Sequence, residues 1–164
     1  MNQSNIAKLK TKTADKRAME QNDSRVQLLV YDLSRGMAAT MSQQILGQRI
    51  DGIWHTGIQI FGVEYFFGGG IQSSPAGIFA RQHQMPPVRI LELGQTQKSQ
   101  TELRAFLQSI HNRFNAATYD LTRNNCNNFS DTVSQFLVGK SLSHTSFLKL
   151  HLNSNLFSKL TERR

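Results

Sequence analysis

Residues 53–67 read Ile53-Trp54-His55-Thr56-Gly57-Ile58-Gln59-Ile60-Phe61-Gly62-Val63-Glu64-Tyr65-Phe66-Phe67. Two runs rich in β-branched and aromatic residues flank Phe61-Gly62, and this arrangement predicts a β-hairpin. Successive side chains on a strand point to opposite faces of the sheet. The first strand therefore places Ile53, His55 and Gly57 on one face and Trp54, Thr56 and Ile58 on the other.

Strands and helices are predicted on both sides of this hairpin. Residues 26–31 and 88–93 have the β-branched, apolar character of strands. A helix with N-cap candidates at residues 32–34 is predicted to end at Gly47. Ser99 and Glu102 form a capping-box pattern, which predicts the start of a further helix.

A long loop is predicted between the hairpin and the strand at residues 88–93. Glycines occupy positions 68–70, and residues 73–77 read Ser-Ser-Pro-Ala-Gly. A last helical pattern starts at Cys126 and ends at Gly139, with Asn124 or Asn125 as its cap. Together these elements predict an α+β fold, in which a small, mostly antiparallel sheet is packed with helices.

The chain divides into a body and two ends. Residues 1–24 are polar and basic, and they predict a disordered extension. Residues 25–145 carry the strand and helix patterns and form one domain. Residues 146–164 have scattered apolar groups, which predict a helical or flexible tail.

The net charge of +8 belongs to the two ends of the chain. Residues 1–25 hold six basic and three acidic residues, residues 139–164 hold five and one, and the segment between them holds eight and seven. A nucleic-acid-binding domain typically carries a basic stripe on its folded body. We therefore expect no specific nucleic-acid binding.

The sequence shows neither an apolar run long enough to span a membrane nor an N-terminal secretory signal. Its single cysteine is typical of a reducing compartment. We expect the protein to be cytoplasmic, nuclear or both.

The single cysteine, Cys126, lies within Asn124-Asn125-Cys126-Asn127-Asn128 at the start of a predicted helix. A helix N-terminus favours negative charge, so the thiolate form is favoured at this position. With no second cysteine and no ligand-like spacing, a structural metal site is not predicted. Cys126 is either a nucleophile or an inert buried side chain, and its polar neighbours favour the nucleophile.

A thiol nucleophile needs a base, and His55 is the histidine held on a predicted strand. The other histidines, at positions 83, 111, 144 and 151, lie in loops, at a helix surface or in the tail. The backbone N–H of Cys126 and a nearby polar side chain would form an oxyanion hole. Tyr31 and Asn125 are the candidates for that role or for orienting the base.

Five motifs resemble, in order and spacing, the PPPDE family of thiol hydrolases, which includes the DeSI-type desumoylating isopeptidases. The resemblance covers about residues 26–145. The motifs are Val30-Tyr31-Asp32-Leu33-Ser34-Arg35-Gly36, Gly52-Ile53-Trp54-His55-Thr56, Glu64-Tyr65-Phe66-Phe67-Gly68-Gly69-Gly70-Ile71, Asn125-Cys126-Asn127-Asn128-Phe129-Ser130 and Gln135-Phe136-Leu137-Val138-Gly139-Lys140.

This resemblance implies a circularly permuted papain-like fold, in which the catalytic histidine precedes the cysteine in the chain. His55 and Cys126 match the family's catalytic pair. The resemblance also implies a homodimer and, as partners, proteins conjugated to SUMO or ubiquitin. A cysteine–histidine pair requires no cofactor.

Three functions remain open at this point. The leading one is an isopeptidase that releases a ubiquitin-like modifier, SUMO first, from lysine side chains through a thioester. The second is a protein S-acyl thioesterase, or depalmitoylase, that uses the same pair. The third is a non-catalytic adaptor that binds a partner through its apolar tail.

Overall fold

The structure is a computed structural model that describes residues 24–47, 49, 51–121 and 123–142. The predicted basic extension, apart from Ser24, lies outside the described residues. The predicted tail at 146–164 also lies outside them.

A five-stranded antiparallel sheet forms the centre of the described region, with strands in the order β4-β3-β2-β1-β5. The strands are β1 (Arg25–Asp32), β2 (Trp54–Ile60), β3 (Val63–Phe67), β4 (Ile71–Pro75) and β5 (Arg89–Gln95). The predicted hairpin is confirmed as β2 and β3, which pair from Ile60↔Val63 to Gly57↔Phe66.

The prediction of a continuous loop at residues 68–77 is wrong, because β4 occupies part of it. β4 lies at one edge of the sheet and pairs with β3 from Phe67↔Ile71 to Val63↔Pro75. Its sequence, IQSSP, is polar, since an edge strand buries little side-chain surface. β4 forms because it pairs with β3, and its own sequence has no local pattern that predicts a strand.

Four α-helices lie among the described residues, together with a short 3₁₀ turn at Ala116–Thr118. They are α1 (Met37–Leu46), α2 (Ile78–Gln82), α3 (Gln100–Ser109) and α4 (Cys126–Val138). The capping box of α3 and the stop of α4 at Gly139 are confirmed. The α+β prediction is therefore confirmed.

The N-cap of α1 is Gly36 rather than one of residues 32–34. The Asp32 carboxylate instead accepts hydrogen bonds from the backbone N–H groups of Ser34 (2.9 Å), Gly36 (2.7 Å) and Ile53 (3.0 Å). This carboxylate connects the end of β1, the turn before α1 and the chain entering β2.

The two faces of the sheet bury different clusters. On one face, α3 and α4 cover the main core, which includes Leu28, Ile58, Phe67 and Phe129. On the other face, a smaller cluster of Leu29, Tyr31 and Phe79 packs with α2 and its neighbours. The alternation predicted for β2 holds, because Ile58 belongs to the first cluster and the His55 ring lies beside Tyr31 and Phe79 of the second.

Candidate active site

Asn125 holds the start of α4 in place. Its side-chain oxygen accepts hydrogen bonds from the backbone N–H groups of Asn127 (2.8 Å) and Asn128 (3.3 Å). The Asn128 side chain accepts in turn from the N–H of Asn125 (2.9 Å). Asparagine is a strong N-cap because its oxygen satisfies N–H groups that have no partner inside the helix. Cys126 is thereby fixed as the first residue of α4.

Thr56 joins β2 to this helix start. Its hydroxyl oxygen lies 2.9 Å from Ser130 Oγ, 3.0 Å from Asn127 Oδ1 and 3.3 Å from the carbonyl oxygen of Cys126. Thr56 and Ser130 are both fully buried. This network is not predicted from the sequence, although a threonine between Trp54 and Ile58 on the apolar face of β2 is a usable signal.

The Cys126 thiol is buried, with 5% of the residue exposed. Burial raises its pKa, while the backbone N–H groups of Thr56, Asn127 and Cys126 itself lower it, and the net direction is upward. The expectation that the helix start favours a thiolate is therefore overridden by burial. In this structure the resting group is a neutral thiol.

The His55 side chain lies on the face of β2 opposite to that of the Thr56 side chain, within an aromatic enclosure. Its ring stacks on Phe79 with a centroid distance of 5.4 Å, and it lies 5.9 Å from Phe66 and 6.1 Å from Tyr31. Burial, and next the charge of His83, lower the pKa of His55 to about 4. Its imidazole is thus neutral near pH 7 and able to accept a proton.

The start of α4 meets β2, the strand that carries His55, at Thr56. The β2–β3 ladder reaches Gly57↔Phe66, and residues 54–56 lie beyond that pair. There the backbone N–H of Thr56 acts on the Cys126 thiol and lowers its pKa, against the larger upward effect of burial. The structure thus brings Cys126 to the residue that follows His55, while the side chains of His55 and Thr56 point to opposite faces.

Tyr31 lies directly opposite His55 in the β1–β2 register. Its O–H donates to Glu64 Oε1 at 2.9 Å, and both residues are fully buried. Burial raises the pKa of Glu64, an effect that the Tyr31 hydrogen bond opposes. Gly57 makes room for this carboxyl, since a Cβ there would lie 2.5 Å from Glu64 Oε1.

The predicted oxyanion or orienting roles of Tyr31 and Asn125 remain predictions. The Tyr31 hydroxyl is engaged with Glu64, and the Asn125 amide nitrogen donates to the Leu121 carbonyl oxygen at 2.7 Å. The Tyr31 hydroxyl therefore fixes the Glu64 carboxyl, and the Asn125 amide fixes the Leu121 carbonyl before α4.

The remaining histidines lie elsewhere. His83 is exposed, with its ring 4.5 Å from that of Phe79, and His111 is exposed after α3. His144 and His151 lie outside the described residues.

Within the part of the chain that the structure describes, no group of three or more acidic, histidine or cysteine side chains is arranged to hold a metal ion. None of the described helices is both long and apolar enough to cross a membrane.

Residues 24–148 match the PPPDE putative peptidase domain. The chain belongs to this family. Membership makes the chain an enzyme of the peptidase class, and the observed sheet and helices fit the family's papain-like fold.

Several relatives support the same assignment. The chain is 40% identical over 119 residues to desumoylating isopeptidase 1 of Homo sapiens and to that of Xenopus laevis, covering 71% of this chain and 69% of each relative. It is 32% identical over 98 residues to the desumoylating isopeptidase 1 homolog of Caenorhabditis elegans, covering 56% of this chain and 29% of that protein.

Proposed function

We propose that this PPPDE-family peptidase is a cysteine isopeptidase that removes a ubiquitin-like modifier, with SUMO as the leading candidate, from lysine side chains. The observation that carries the proposal is the placement of Cys126. It begins an asparagine-capped helix and contacts β2 at the residue after His55. The choice of SUMO as the modifier comes from the names of the relatives. The proposed chemistry comes from the side chains of Cys126 and His55.

The reaction uses Cys126 as the nucleophile and His55 as the base. The sulfur attacks the carbonyl carbon of the glycine–lysine isopeptide bond, while His55 receives the thiol proton. His55 then protonates the lysine amine as the carbon–nitrogen bond breaks and a thioester remains. Water hydrolyses that thioester, and the thiol and the neutral imidazole are restored.

The protonation states fit proton transfer during attack rather than a pre-formed ion pair. The pKa of Cys126 is raised and that of His55 is lowered to about 4, so both groups are neutral at pH 7. The N–H groups of Cys126 and Asn127 at the helix start stabilise negative charge as it develops at the site.

Cleavage of purified SUMO and ubiquitin conjugates tests the proposal. Wild type releases the modifier, whereas Cys126→Ala and His55→Asn reduce the rate to background. His111→Asn, a change at an exposed histidine, serves as the matched control and keeps the wild-type rate. If wild type and Cys126→Ala cleave alike, the isopeptidase proposal is wrong.

An S-acyl thioesterase would use the same two residues, so substrate choice separates the two activities. A palmitoyl-thioester peptide is supplied in parallel with the conjugates. Faster, Cys126-dependent turnover of the thioester would replace the isopeptidase assignment. Failure of Cys126 to react with either substrate class would favour the adaptor.

The proposal also includes a homodimer in the cytoplasm, the nucleus or both. Met37, Met41 and Ile45 recur at helical spacing on α1 and are 61%, 44% and 68% exposed, which makes this face a candidate subunit contact. Sedimentation equilibrium of wild type and Met41→Lys tests the dimer, and imaging of the tagged protein in cells tests its location.

A further inference from the structure

Glu64 is a fully buried carboxyl side chain on the sheet face that carries His55. In the β2–β3 register it lies opposite Gln59, and its side chain lies over Gly57, where an added Cβ would be 2.5 Å from Glu64 Oε1. His55 precedes Gly57 by two residues on the same face, which is a separation of about 7 Å along a strand. The carboxyl group therefore lies about one strand repeat from the position of His55.

Tyr31 lies beside both side chains. It is opposite His55 in the β1–β2 register, and the two ring centroids are 6.1 Å apart. Its hydroxyl donates to Glu64 Oε1 at 2.9 Å. One aromatic side chain thus extends from the imidazole to the carboxyl. Because Oε1 already accepts from Tyr31, Oε2 is the carboxyl oxygen left to accept a further hydrogen bond.

The imidazole and the carboxyl each have a buried atom that lacks a hydrogen bond. His55 Nε2 and Glu64 Oε2 have no hydrogen-bond partner among the residues that the structure describes. His55 is 8% exposed and Glu64 is 0% exposed, so bulk solvent does not satisfy these atoms. Buried polar atoms are nearly always hydrogen-bonded, either to protein groups or to an enclosed water. A nitrogen that can donate and an oxygen that can accept, on the same sheet face, satisfy each other.

The aromatic enclosure of His55 leaves Nε2 no competing acceptor among its own side chains. The rings of Phe66 and Phe79 carry no oxygen or nitrogen. The Tyr31 hydroxyl is engaged with Glu64. The free oxygen of the Glu64 carboxyl is therefore the acceptor that this cluster offers to the imidazole.

We infer that Glu64 is a positioning residue for His55, whose Nε2–H donates a hydrogen bond to Glu64 Oε2 directly or through one enclosed water. The inference rests on the proposed function, since it assigns the residue that orients the proposed base. A neutral histidine that carries its proton on Nε2 has a free lone pair on Nδ1. Glu64 thus keeps the proton on Nε2 and leaves Nδ1 to receive the proton of the Cys126 thiol.

Glu64→Gln tests this role in catalysis. The amide keeps the side-chain volume and an acceptor for Tyr31, but an NH2 group replaces Oε2, so the Nε2–H of His55 loses its acceptor. In the cleavage of purified conjugates, kcat should fall about a hundredfold while KM stays at the wild-type value, because the base is affected and substrate binding is not.

Glu92→Gln is the matched control. The registers through Gln27 and Gln59 place Glu92 on the same sheet face as Glu64, but at an exposed position on β5. The same chemical change there should leave kcat at the wild-type value. A loss of activity in Glu64→Gln alone therefore reports on the buried carboxyl.

The tautomer of His55 is a readout that a merely structural role would not move. Long-range ¹H–¹⁵N NMR spectra of histidine-labelled protein near pH 7 distinguish the two neutral tautomers, and His55→Asn identifies the His55 signals by their loss. Wild type should show the Nε2–H form of His55. Glu64→Gln should show the Nδ1–H form or a mixture of the two, because the acceptor that holds the proton on Nε2 is gone.

Two results would overturn the inference. One is a wild-type His55 in the Nδ1–H form, and this measurement does not depend on the folding of any variant. The other is a folded Glu64→Gln protein that keeps either the wild-type kcat or the wild-type tautomer of His55. If wild type does not cleave the conjugates at all, the isopeptidase proposal fails, and the tautomer measurements alone decide the role of Glu64.

Discussion

The hydroxyl oxygen of Thr56 lies 3.3 Å from the carbonyl oxygen of Cys126. Thr56 also contacts Ser130, one turn further along α4, at 2.9 Å. A buried threonine on β2 thus determines how the first turn of α4 sits on the sheet. The position of the nucleophile therefore depends on the strand that also carries His55.

Replacement of Thr56 by valine removes this connection while keeping the side-chain shape. Ser130 and Asn127 then lose a buried partner, and we expect the free energy of unfolding to fall by about 2 kcal/mol. The rate of modifier release should also fall, because the first turn of α4 is less firmly placed. Urea denaturation and cleavage assays measure the two effects.

Thr56→Ser is the matched control for this change. It keeps the hydroxyl and removes only a methyl group, so its catalytic rate should stay close to wild type. Equal rates for Thr56→Val and Thr56→Ser would show that the hydroxyl does not position Cys126.

The cap at Asn125 gives a second prediction. Asn125→Ala removes the acceptor for the N–H groups of Asn127 and Asn128 and should destabilise the protein by about 1 kcal/mol. Asn125→Asp keeps the acceptor but loses the donor to the Leu121 carbonyl oxygen, so it should retain part of that stability. Thermal denaturation compares the variants. A stability of Asn125→Ala equal to that of wild type would contradict the capping role.

Cys126 alkylation provides a third prediction. Because burial raises the pKa of the thiol, the rate of reaction with iodoacetamide should continue to rise with pH beyond about 8.5, the usual thiol value. His55→Asn should leave this profile in place, since His55 is already neutral at that pH. N-acetylcysteine is the reference thiol. A rate that levels off below pH 8 would instead indicate a resting thiolate.

Local sequence patterns were sufficient for the hairpin and for α4. The hairpin has two apolar runs around a short turn, and α4 has an asparagine cap, an apolar face and a terminal glycine. β4 escaped prediction because its residues are polar and its partner strand determines its conformation. Short α2 has only five residues and shows no periodic pattern.

The sequence leads to His55 and Cys126 as candidate site residues, but it does not predict the direction in which the pKa of Cys126 is shifted. Chain order, residue type and a family resemblance were enough to single out His55 and Cys126. The raised pKa of Cys126 and the Thr56 network depend on burial and on contacts between residues about seventy positions apart. Such contacts exist only once α4 packs on β2, so a pattern confined to the helix start predicts the opposite pKa shift.

The last prediction concerns stability and pH at His55. The folded-state pKa is about 4, whereas an unfolded histidine titrates near 6.5. Above pH 6.5 both states are neutral at this residue and the protein has its full stability. As the pH falls from about 6.5 to about 4, only the unfolded state gains the proton, so the free energy of unfolding falls by about 3 kcal/mol.

His55→Phe isolates this effect, because a phenyl ring suits the enclosure formed by Tyr31, Phe66 and Phe79. The variant should lose catalytic activity and yet keep more of its stability between pH 6.5 and 4 than wild type does. Urea denaturation at pH 7, 5.5 and 4 measures the difference, with His111→Phe as the exposed control. If wild type and His55→Phe lose stability in parallel over this range, His55 is not held neutral by its surroundings.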